Sequence, residues 1–170
     1  MLVTNLEGIK SGGITGDPRL PHGWILSKGY LIGPGVDLSN VDLSGANLER
    51  VNLSGADLSN ADLSGANLDD AEFEYYRDED GKERRLEANL EGIKSGEITG
   101  DPRLPGGWVL SKGYLIGPGA DLSNVDLSGA NLEYAQFEGY TEDEDGNGRE
   151  LVANLEGIKS GGITGDPRLP

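Results

Sequence analysis

Residues 36–75 read VDLSN VDLSG ANLER VNLSG ADLSN ADLSG ANLDD AEFEY, which is eight consecutive five-residue units without a gap. An α-helix turns every 3.6 residues, so a leucine at every fifth position would be spread around the whole helix. In a short strand, the first and third residues of each unit point to one side, and the second and fourth point to the other. The fifth residue is mostly Gly or Asn, which tolerate the left-handed backbone of a tight corner. The stretch therefore predicts a coil of short strands stacked on itself.

A second period, four units long, overlies the first. The unit endings SN and SG recur in the same order after four units, so that corner residue Asn40 reappears as Asn60. Four strands per coil would bring the stacked residues about 4.8 Å apart. The stacked amides are expected to form a ladder, and the stacked carboxylates to repel each other without a counterion. The pairs expected to stack are Asp37 with Asp57, Asp42 with Asp62 and Asn47 with Asn67.

These units resemble the pentapeptide-repeat family, whose motif is A-(D/N)-L-x-x. The resemblance covers residues 36–75 and 120–139 fully, with single units at 88–92 and 153–157. It implies an all-β fold, namely a right-handed quadrilateral parallel β-helix of about 20 residues per coil with protruding loops. It also implies that the Leu and Ala or Val positions fill the interior. The expected core stack is Leu38, Leu43, Leu48, Leu53, Leu58, Leu63, Leu68, Phe73, Leu122, Leu127, Leu132 and Phe137.

Composition narrows the class of protein. The chain has 170 residues, of which 35% are hydrophobic, and we expect one domain, residues 1–170, with a thin apolar column as its core. The formal net charge of −16 argues against nucleic acid as a partner and favours basic partners or cations. The absence of cysteine excludes disulfides and thiolate metal sites. No signal peptide and no membrane-spanning apolar run are recognisable, so the sequence itself assigns no compartment.

A longer repeat contains the short ones. The segment NLEGIKSG begins at Asn5, Asn89 and Asn154. The second interval between copies is 19 residues shorter than the first. This is one coil of 20 residues, offset by one residue of loop length. A difference of one whole coil predicts that every loop projects from the same face. Residues 154–170 repeat residues 5–21 letter for letter. A coil without a cap leaves unpaired strand edges, so we expect either a longer array or a junction between chains.

Two kinds of segment interrupt the regular units. Residues 9–35, 93–119 and 158–170 keep a trace of the five-residue period, and we favour a continuing coil there with an enlarged corner near the sequence DPRLP. The alternative is a small hairpin formed by residues 24–26 and 30–32. Residues 76–87 and 140–152 are acidic and contain Asp-Gly, which predicts hairpin loops.

The acidic loops are the candidate metal site. Carboxylate oxygens are the ligands that calcium prefers, but the spacing of a calcium-binding helix-loop-helix is missing. We therefore favour a solvated hairpin, expect no cofactor, and keep calcium as the alternative. The candidate ligands are Asp78, Asp80, Asp143 and Asp145.

No catalytic constellation is recognisable. His22 is the only histidine and its counterpart in the second copy is Gly106, so a repeated catalytic role for it is excluded. The recurrent serines have no base beside them, which argues against nucleophilic catalysis. The recurrent aromatic residues are expected to pack over the enlarged corner, with stacking on a sugar or a neighbouring chain as the alternative. They are Trp24, Tyr30, Trp108 and Tyr114.

The leading hypothesis is a non-enzymatic structural solenoid that stacks end to end, or is part of a long array, with copies of itself as partner and an extracellular or cell-surface location favoured. A second hypothesis is an acidic mimic of DNA that binds a type II topoisomerase, an activity known in the family that this sequence resembles. A third is a cation-dependent adhesive module. The apolar residues expected at an end-to-end junction are Leu6, Ile9, Ile14, Ile158 (next to Lys159) and Ile163.

Overall fold

The computed structural model describes residues 8–77, 80–142 and 146–166, with the backbone alone for residues 76 and 77. Within these ranges the chain forms strands and isolated bridges and no helix, and none of it could span a membrane as a helix. Eight strands pair as four antiparallel hairpins. They are β1 (Ile25–Ser27) with β2 (Tyr30–Ile32), β3 (Tyr75–Arg77) with β4 (Glu83–Arg85), β5 (Val109–Ser111) with β6 (Tyr114–Ile116), and β7 (Glu138–Glu142) with β8 (Gly148–Val152).

The five-residue units are joined by parallel bridges between residues that lie four units apart, and the three predicted stacked pairs are confirmed. The same pairing continues to residues 89–103, displaced by the length of the first acidic loop. We call each bridged set a column. Column 1 contains Asp37, Asp57 and Asn89; column 2 contains Asp42, Asp62 and Lys94; column 3 contains Asn47, Asn67 and Thr99; column 4 contains Asn52, Glu72 and Arg103.

The apolar positions of the units form the core. Ala or Val at the first position and Leu or Phe at the third are buried, and all twelve residues expected in the core stack are at most 2% exposed. Burial of this kind stabilises the fold by about 25 cal/mol per Å² of apolar surface. The core is therefore one continuous cluster of small and branched apolar side chains that runs through the stacked units.

The fifth position of each unit is a corner with a left-handed backbone. Glycines supply many of these corners, for example Gly45 (φ 65°) and Gly65 (φ 71°). Hydrogen bonds such as that from Val41 N–H to the Leu38 carbonyl (3.2 Å) close the turn. Non-glycine residues also occupy corners, and for L-residues other than Asn and Asp this conformation is costly. They are Asn40, Arg50, Asn60, Asp70, Glu97, Asn124 and Tyr134.

Tyr134 is the corner residue least suited to its backbone. Its φ is 67° and it is 78% exposed, so no burial offsets the strain. Replacing Tyr134 with Asn is expected to raise the free energy of unfolding by about 0.5–1 kcal/mol, since Asn adopts this conformation readily. Chemical denaturation measures the change. Tyr140→Asn is the control, because Tyr140 is similarly exposed (72%) but lies in β7, where Asn offers no gain.

The interruption segments contain hairpins, so the continuous coil favoured from sequence is wrong for residues 25–32 and 109–116. The turn residues Lys28 (φ 50°) and Gly29 (φ 82°) both have positive φ, as a two-residue hairpin turn requires. In the coil interpretation Lys28 would have pointed into the core. In the hairpin it reaches the surface instead, which is the physical reason that this alternative prevails.

The parts of these segments outside the hairpins bond to neighbouring coils. Asp37 N–H donates to the Ile9 carbonyl (3.0 Å) and Asn52 N–H donates to the Gly23 carbonyl (3.2 Å). The second copy repeats this pattern, with Asp121 N–H donating to the Ile93 carbonyl (3.1 Å). The hairpins are thus inserted between sides of a coil without ending it.

Successive copies of the long repeat are displaced by one column. Asp37 belongs to column 1, so its bond to Ile9 places Lys10 in column 1. Lys94 belongs to column 2. Asp121 N–H donates to the carbonyl of Ile93, the residue before Lys94, so Asp121 also lies in column 2. Lys159 bridges Asp126, one unit after Asp121, and therefore lies in column 3.

This displacement corrects the prediction that all loops project from one face. The loop at residues 76–87 lies between column 4 and column 1, whereas the loop at residues 140–152 lies between column 1 and column 2. The copies do differ by one whole turn. Each copy nevertheless contains one side more than a whole number of turns. The inserted hairpins add residues without adding a side, so the length of a copy in residues does not reveal this.

Candidate functional site

The outer face of each unit is organised by its second residue. The side-chain oxygen of this Asp or Asn accepts the backbone N–H two residues later, as in Asp37 with Ser39 (3.0 Å) and Asp62 with Ser64 (2.9 Å). This bond satisfies an N–H next to the corner that the ladder leaves free. The acidic surface is therefore part of the folding code of the coil, a role that the sequence analysis missed.

Amides separate the carboxylates along the columns. Asn67 Nδ2 donates to Asn47 Oδ1 (3.1 Å), which confirms the predicted amide ladder. Asn89 Nδ2 likewise donates to Asp57 Oδ1 (3.0 Å), at the position where a third carboxylate would otherwise stack. The amides thus limit the repulsion that a chain of this charge must contain.

Basic side chains of the interruption segments reach the acidic face. Lys10 Nζ lies 3.3 Å from the Asp37 carboxylate, and Lys28 Nζ lies 3.0 Å from Asp42 Oδ1 and 3.0 Å from the Ser44 carbonyl. Salt bridges between an interruption segment and the acidic face are thus present within the chain at these two positions. Each pair is exposed, so its contribution to stability is small, typically about 0–1 kcal/mol.

Asp42 is the carboxyl with the largest change in acidity. The Ser44 hydroxyl and backbone N–H, then Lys28, hold the pKa of Asp42 at about 2, below its ordinary value of 3.8. The Ser44 hydroxyl donates at 2.6 Å and the N–H at 2.8 Å. Because the folded-state pKa is lowered, this carboxylate stabilises the fold above the unfolded-state pKa, and that contribution is lost as the pH falls from 3.8 through about 2.

Replacing Ser44 with Ala is therefore expected to raise the pKa of Asp42 towards 3.8, since the largest cause of the shift is removed. A side-chain carboxyl titration by NMR measures the change. The variant should lose stability relative to the wild type above pH 3.8, with the difference shrinking as the pH approaches about 2. Ser44→Thr retains the hydroxyl and is expected to keep the low pKa; an unchanged titration in the Ala variant would contradict this account.

The candidate calcium ligands are not brought together by the described residues. Asp80 is exposed at the tip of the first acidic hairpin, whereas Asp78, Asp143 and Asp145 lie outside the described residues. In the described ranges no three His, Cys, Asp or Glu side chains form a group able to hold a metal ion. The calcium site remains a prediction from sequence.

The recurrent aromatic residues pack onto the core. Trp24 and Trp108 lie on Gly33 and Gly117, where a Cβ atom would come within 2.2 Å and 2.1 Å of the indole. Tyr30 and Tyr114 also contact the core cluster. His22, by contrast, is exposed.

Of the residues expected at a junction, Ile9, Ile158 and Ile163 are half-buried against the core, Ile14 is half-buried outside that cluster, and Leu6 lies outside the described residues. Lys159, beside Ile158, is exposed and bridges Asp126. The structure describes neither end of the chain completely. The structure therefore shows where these residues lie, and their role in a junction between chains stays a prediction.

A groove of about 340 Å³ lies where the second acidic hairpin meets the coil. Its floor is formed by residues 87–91, one wall by Trp108 and the adjacent turn, and the other by Tyr140, Thr141 and Leu151. Its lining contains two glutamates and no basic residue. Glu91 is held by a two-pronged ion pair with Arg149 (2.7 and 2.5 Å), which lowers the pKa of Glu91.

Sequence reasoning did not find this groove, although one signal for it exists. The Pro-Gly-Gly-Trp sequence at residues 105–108 marks a turn in the backbone beside a large aromatic residue. The chemistry of the groove is that of a recognition site, with an aromatic surface, amides, a hydroxyl and carboxylates. It offers no nucleophile with a base beside it.

Short strands stacked in parallel, with a corner at every fifth residue, define an all-β repeat protein. A family model described as pentapeptide repeats matches the chain in eight copies, at residues 35–74 and 118–139. Over these two tracts the chain is similar to the pentapeptide-repeat family, for which a right-handed β-helix is expected.

Among solved structures, the chain is similar to a pentapeptide repeat protein (Rfr23) from the cyanobacterium Cyanothece 51142, at 21% sequence identity. The match covers 80% of this chain and 58% of that one, so the chain spans little more than half the length of this relative. The TM-score of this superposition is 0.25. A comparison with curated proteins gave no match.

Proposed function

We propose that this chain is a non-enzymatic structural protein, in which the four columns close into a right-handed quadrilateral coil of about 20 residues that associates end to end with further copies or continues as part of a longer array of such repeats. One observation carries the proposal. The middle copy of the long repeat has hydrogen-bond partners on both of its edges, whereas the first and third copies have partners on one edge each among the described residues.

The bonds of the middle copy define what each open edge requires. On its lower edge, Lys94 N–H donates to the Ala61 carbonyl (2.9 Å) and the Lys94 carbonyl accepts from Leu63 N–H (2.9 Å). On its upper edge, the Ile93 carbonyl accepts from Asp121 N–H (3.1 Å). This nearly identical sequence is therefore compatible with a coil on either side.

The first and third copies each have such hydrogen-bond partners on one edge only among the described residues. At the first copy, the Ile9 carbonyl accepts from Asp37, but the lower-edge groups of Lys10 have no partner among the described residues. At the third copy, Lys159 is bonded below by Val125 and Leu127, while the Ile158 carbonyl has no described partner above. Pairing of these edges between chains would extend the ladder and cover the apolar column.

Glycine spacing supports the same junction. A Cβ atom on Gly100 would lie 2.3 Å from Asp69 N, and one on Gly165 would lie 2.4 Å from Glu133 N, because adjacent coils touch at this position. Gly16 is the equivalent residue of the first copy and has nothing within 4 Å. In an end-to-end junction Gly16 would meet the backbone of the neighbouring chain, as its two counterparts meet the coil beneath them.

Sedimentation velocity across a concentration series tests the proposal with the wild type and Gly16→Ala. The wild type is expected to form larger species as its concentration rises, seen as thin filaments by electron microscopy with an axial repeat of about 30 Å, for about six coils at about 4.8 Å. Gly16→Ala should remain monomeric, because the added methyl group prevents close approach of the two coils.

Gly13→Glu is the matched control. Gly13 is also a corner of the first coil with nothing within 4 Å, and its counterpart Glu97 carries the same side chain between two coils. The control should therefore assemble like the wild type. A wild type that stays monomeric at every concentration, or a Gly16→Ala variant that assembles normally, would refute the junction.

A further inference from the structure

The backbone ladder of column 1 is interrupted at the floor of the groove. Between the preceding coils, Asn89 N–H donates to the Ala56 carbonyl and Leu58 N–H donates to the Asn89 carbonyl, both at 2.9 Å. One coil further on, the equivalent groups are the Ala88 carbonyl and the Leu90 N–H. Neither has a hydrogen-bond partner among the described residues, and both residues line the groove.

The interruption is caused by the turn before Trp108. Gln136 lies two units after Asp126 of column 3 and therefore belongs to column 1. Its N–H donates to the Gly107 carbonyl (2.8 Å), which makes Trp108 the next residue along column 1 after Asn89. Instead of pairing with the floor, Trp108 N–H donates to the Pro105 carbonyl (3.1 Å). The close contact of the indole with Gly117 holds Trp108 in this position. The backbone hydrogen bonds of the ladder are thus interrupted at this point.

The groove has the properties of a site for an extended peptide. Its volume of about 340 Å³ is at the lower end of the range for binding pockets. It offers one carbonyl acceptor and one N–H donor, spaced as in a strand edge, between the aromatic side chains of Trp108 and Tyr140. Both glutamates of the lining already have an arginine partner, Glu87 in Arg85 and Glu91 in Arg149, so it is the net charge of −16 over the chain that favours a cationic partner over an anionic one.

We propose that this groove binds an extended basic peptide segment of a partner protein, which adds as a short strand between the Ala88–Leu90 edge and the Trp108 turn. Main-chain hydrogen bonds to the Ala88 carbonyl and the Leu90 N–H hold the backbone of the peptide. The aliphatic part of a Lys or Arg side chain packs on the aromatic walls, with its charge towards solvent and the acidic surface of the chain.

The first copy of the repeat contains the same turn. Trp24 N–H donates to the Pro21 carbonyl (3.1 Å), and Asn52 N–H donates to the Gly23 carbonyl (3.2 Å). The equivalent floor lies outside the described residues. The shared geometry in both copies shows that the turn itself belongs to the repeat.

The open edge can be measured without a ligand. Leu90 N–H is expected to exchange with solvent faster than Leu58 N–H, since Leu58 is bonded in the ladder and Leu90 is not. Hydrogen exchange followed by NMR on the full chain provides both rates. Equal protection of the two amides would show that the edge is closed and would overturn the proposal.

The binding test uses a blocked Lys-Val-Lys-Val-Lys peptide, followed by NMR and by the fluorescence of Trp108 in a Trp24→Phe background. Leu90 N–H should become protected at saturation. Two further peptides of the same sequence carry N-methyl groups on alternate peptide nitrogens, one starting at the first nitrogen and the other at the second. One of the two should bind at least tenfold more weakly, because the nitrogen that faces the Ala88 carbonyl is then methylated and cannot donate. A Glu-Val-Glu-Val-Glu peptide should also bind at least tenfold more weakly.

Tyr140→Ala is expected to weaken binding at least fivefold, and Tyr134→Ala, an exposed tyrosine at a corner, is expected to leave it unchanged. Equal affinity of all methylated and unmethylated peptides would reduce the effect to general attraction by an acidic surface and would overturn the proposal. So would saturable quenching of Trp108 by maltotriose or cellotriose without any effect of the peptide, which would identify a sugar site.

Discussion

Replacing Phe73 with Ala is expected to lower the free energy of unfolding by about 3–5 kcal/mol. Phe73 is fully buried, and its backbone joins two coils, with its N–H donating to the Arg103 carbonyl (3.1 Å) and its carbonyl accepting from Ala88 N–H (2.8 Å). These backbone bonds fix the surrounding coils, so they cannot close fully over the cavity that the truncation leaves. Urea denaturation followed by far-UV circular dichroism measures the loss.

Phe73→Leu is the matched control for this cavity. Leucine occupies the same central position in the other seven units of residues 36–75, so the coil accommodates it. We expect a loss of about 1–1.5 kcal/mol for this smaller change in volume. A loss below about 1 kcal/mol for Phe73→Ala would mean that the coil widens or collapses freely at the start of the first acidic hairpin.

Replacing Gly100 with Ala is expected to destabilise the chain by about 2–5 kcal/mol, by two effects that can be separated. The residue has a φ of 100°, which costs an L-residue about 1–2 kcal/mol. The added methyl group would also lie within 2.6 Å of both Asp69 N and Asp69 Cα. A backbone neighbour cannot rotate away as a side chain can, and such overpacking costs about 1–3 kcal/mol more.

Gly16 provides the control for Gly100 within the same chain. It has nearly the same backbone (φ 102°) and the same ITGDPRLP sequence around it, but nothing lies within 4 Å of its Cβ position. Gly16→Ala should therefore show the conformational cost alone when the protein is monomeric. If the two substitutions are equally destabilising in dilute solution, the contact between coils has no energetic weight and the stacking described here is wrong at that position.

The regular part of the fold was predictable because its signal is redundant. Each unit places an apolar residue at positions one and three and a residue suited to a corner at position five, so register, stacked pairs and the Asn47–Asn67 ladder follow from counting. Tyr134 and Arg50 show how strongly the register is imposed, since both adopt the corner conformation against their own preference.

The interruptions were less predictable because two periods coincide there. Leu26 and Leu31 are five residues apart, as in the coil, yet they are directly paired across an antiparallel hairpin. Lys28 was the one residue inconsistent with the coil, and it marks the turn. The spacing between copies predicted their difference of one turn correctly, but only the pattern of bridges reveals the additional side in each copy.

The groove was not predictable from residue types. Its defining feature is an acceptor at Ala88 and a donor at Leu90 that have no partner among the described residues, although both residues fit the repeat motif without deviation. They are unpaired because Trp108, in the coil that follows Leu90, directs its N–H to Pro105. A pattern-based interpretation assigns pairing from each unit itself, whereas here the missing bond is a property of the next coil.

The displacement of each repeat by one column has a consequence for any long array of such repeats. In the four-sided coil proposed above, the equivalent hairpins of successive copies would be rotated by one side each, so that every fourth one faces the same direction. A flat surface could touch only one hairpin in four, whereas separate molecules could dock all around the circumference. Such a rod is suited to collecting many small partners from every direction and poorly suited to lying along a single large one.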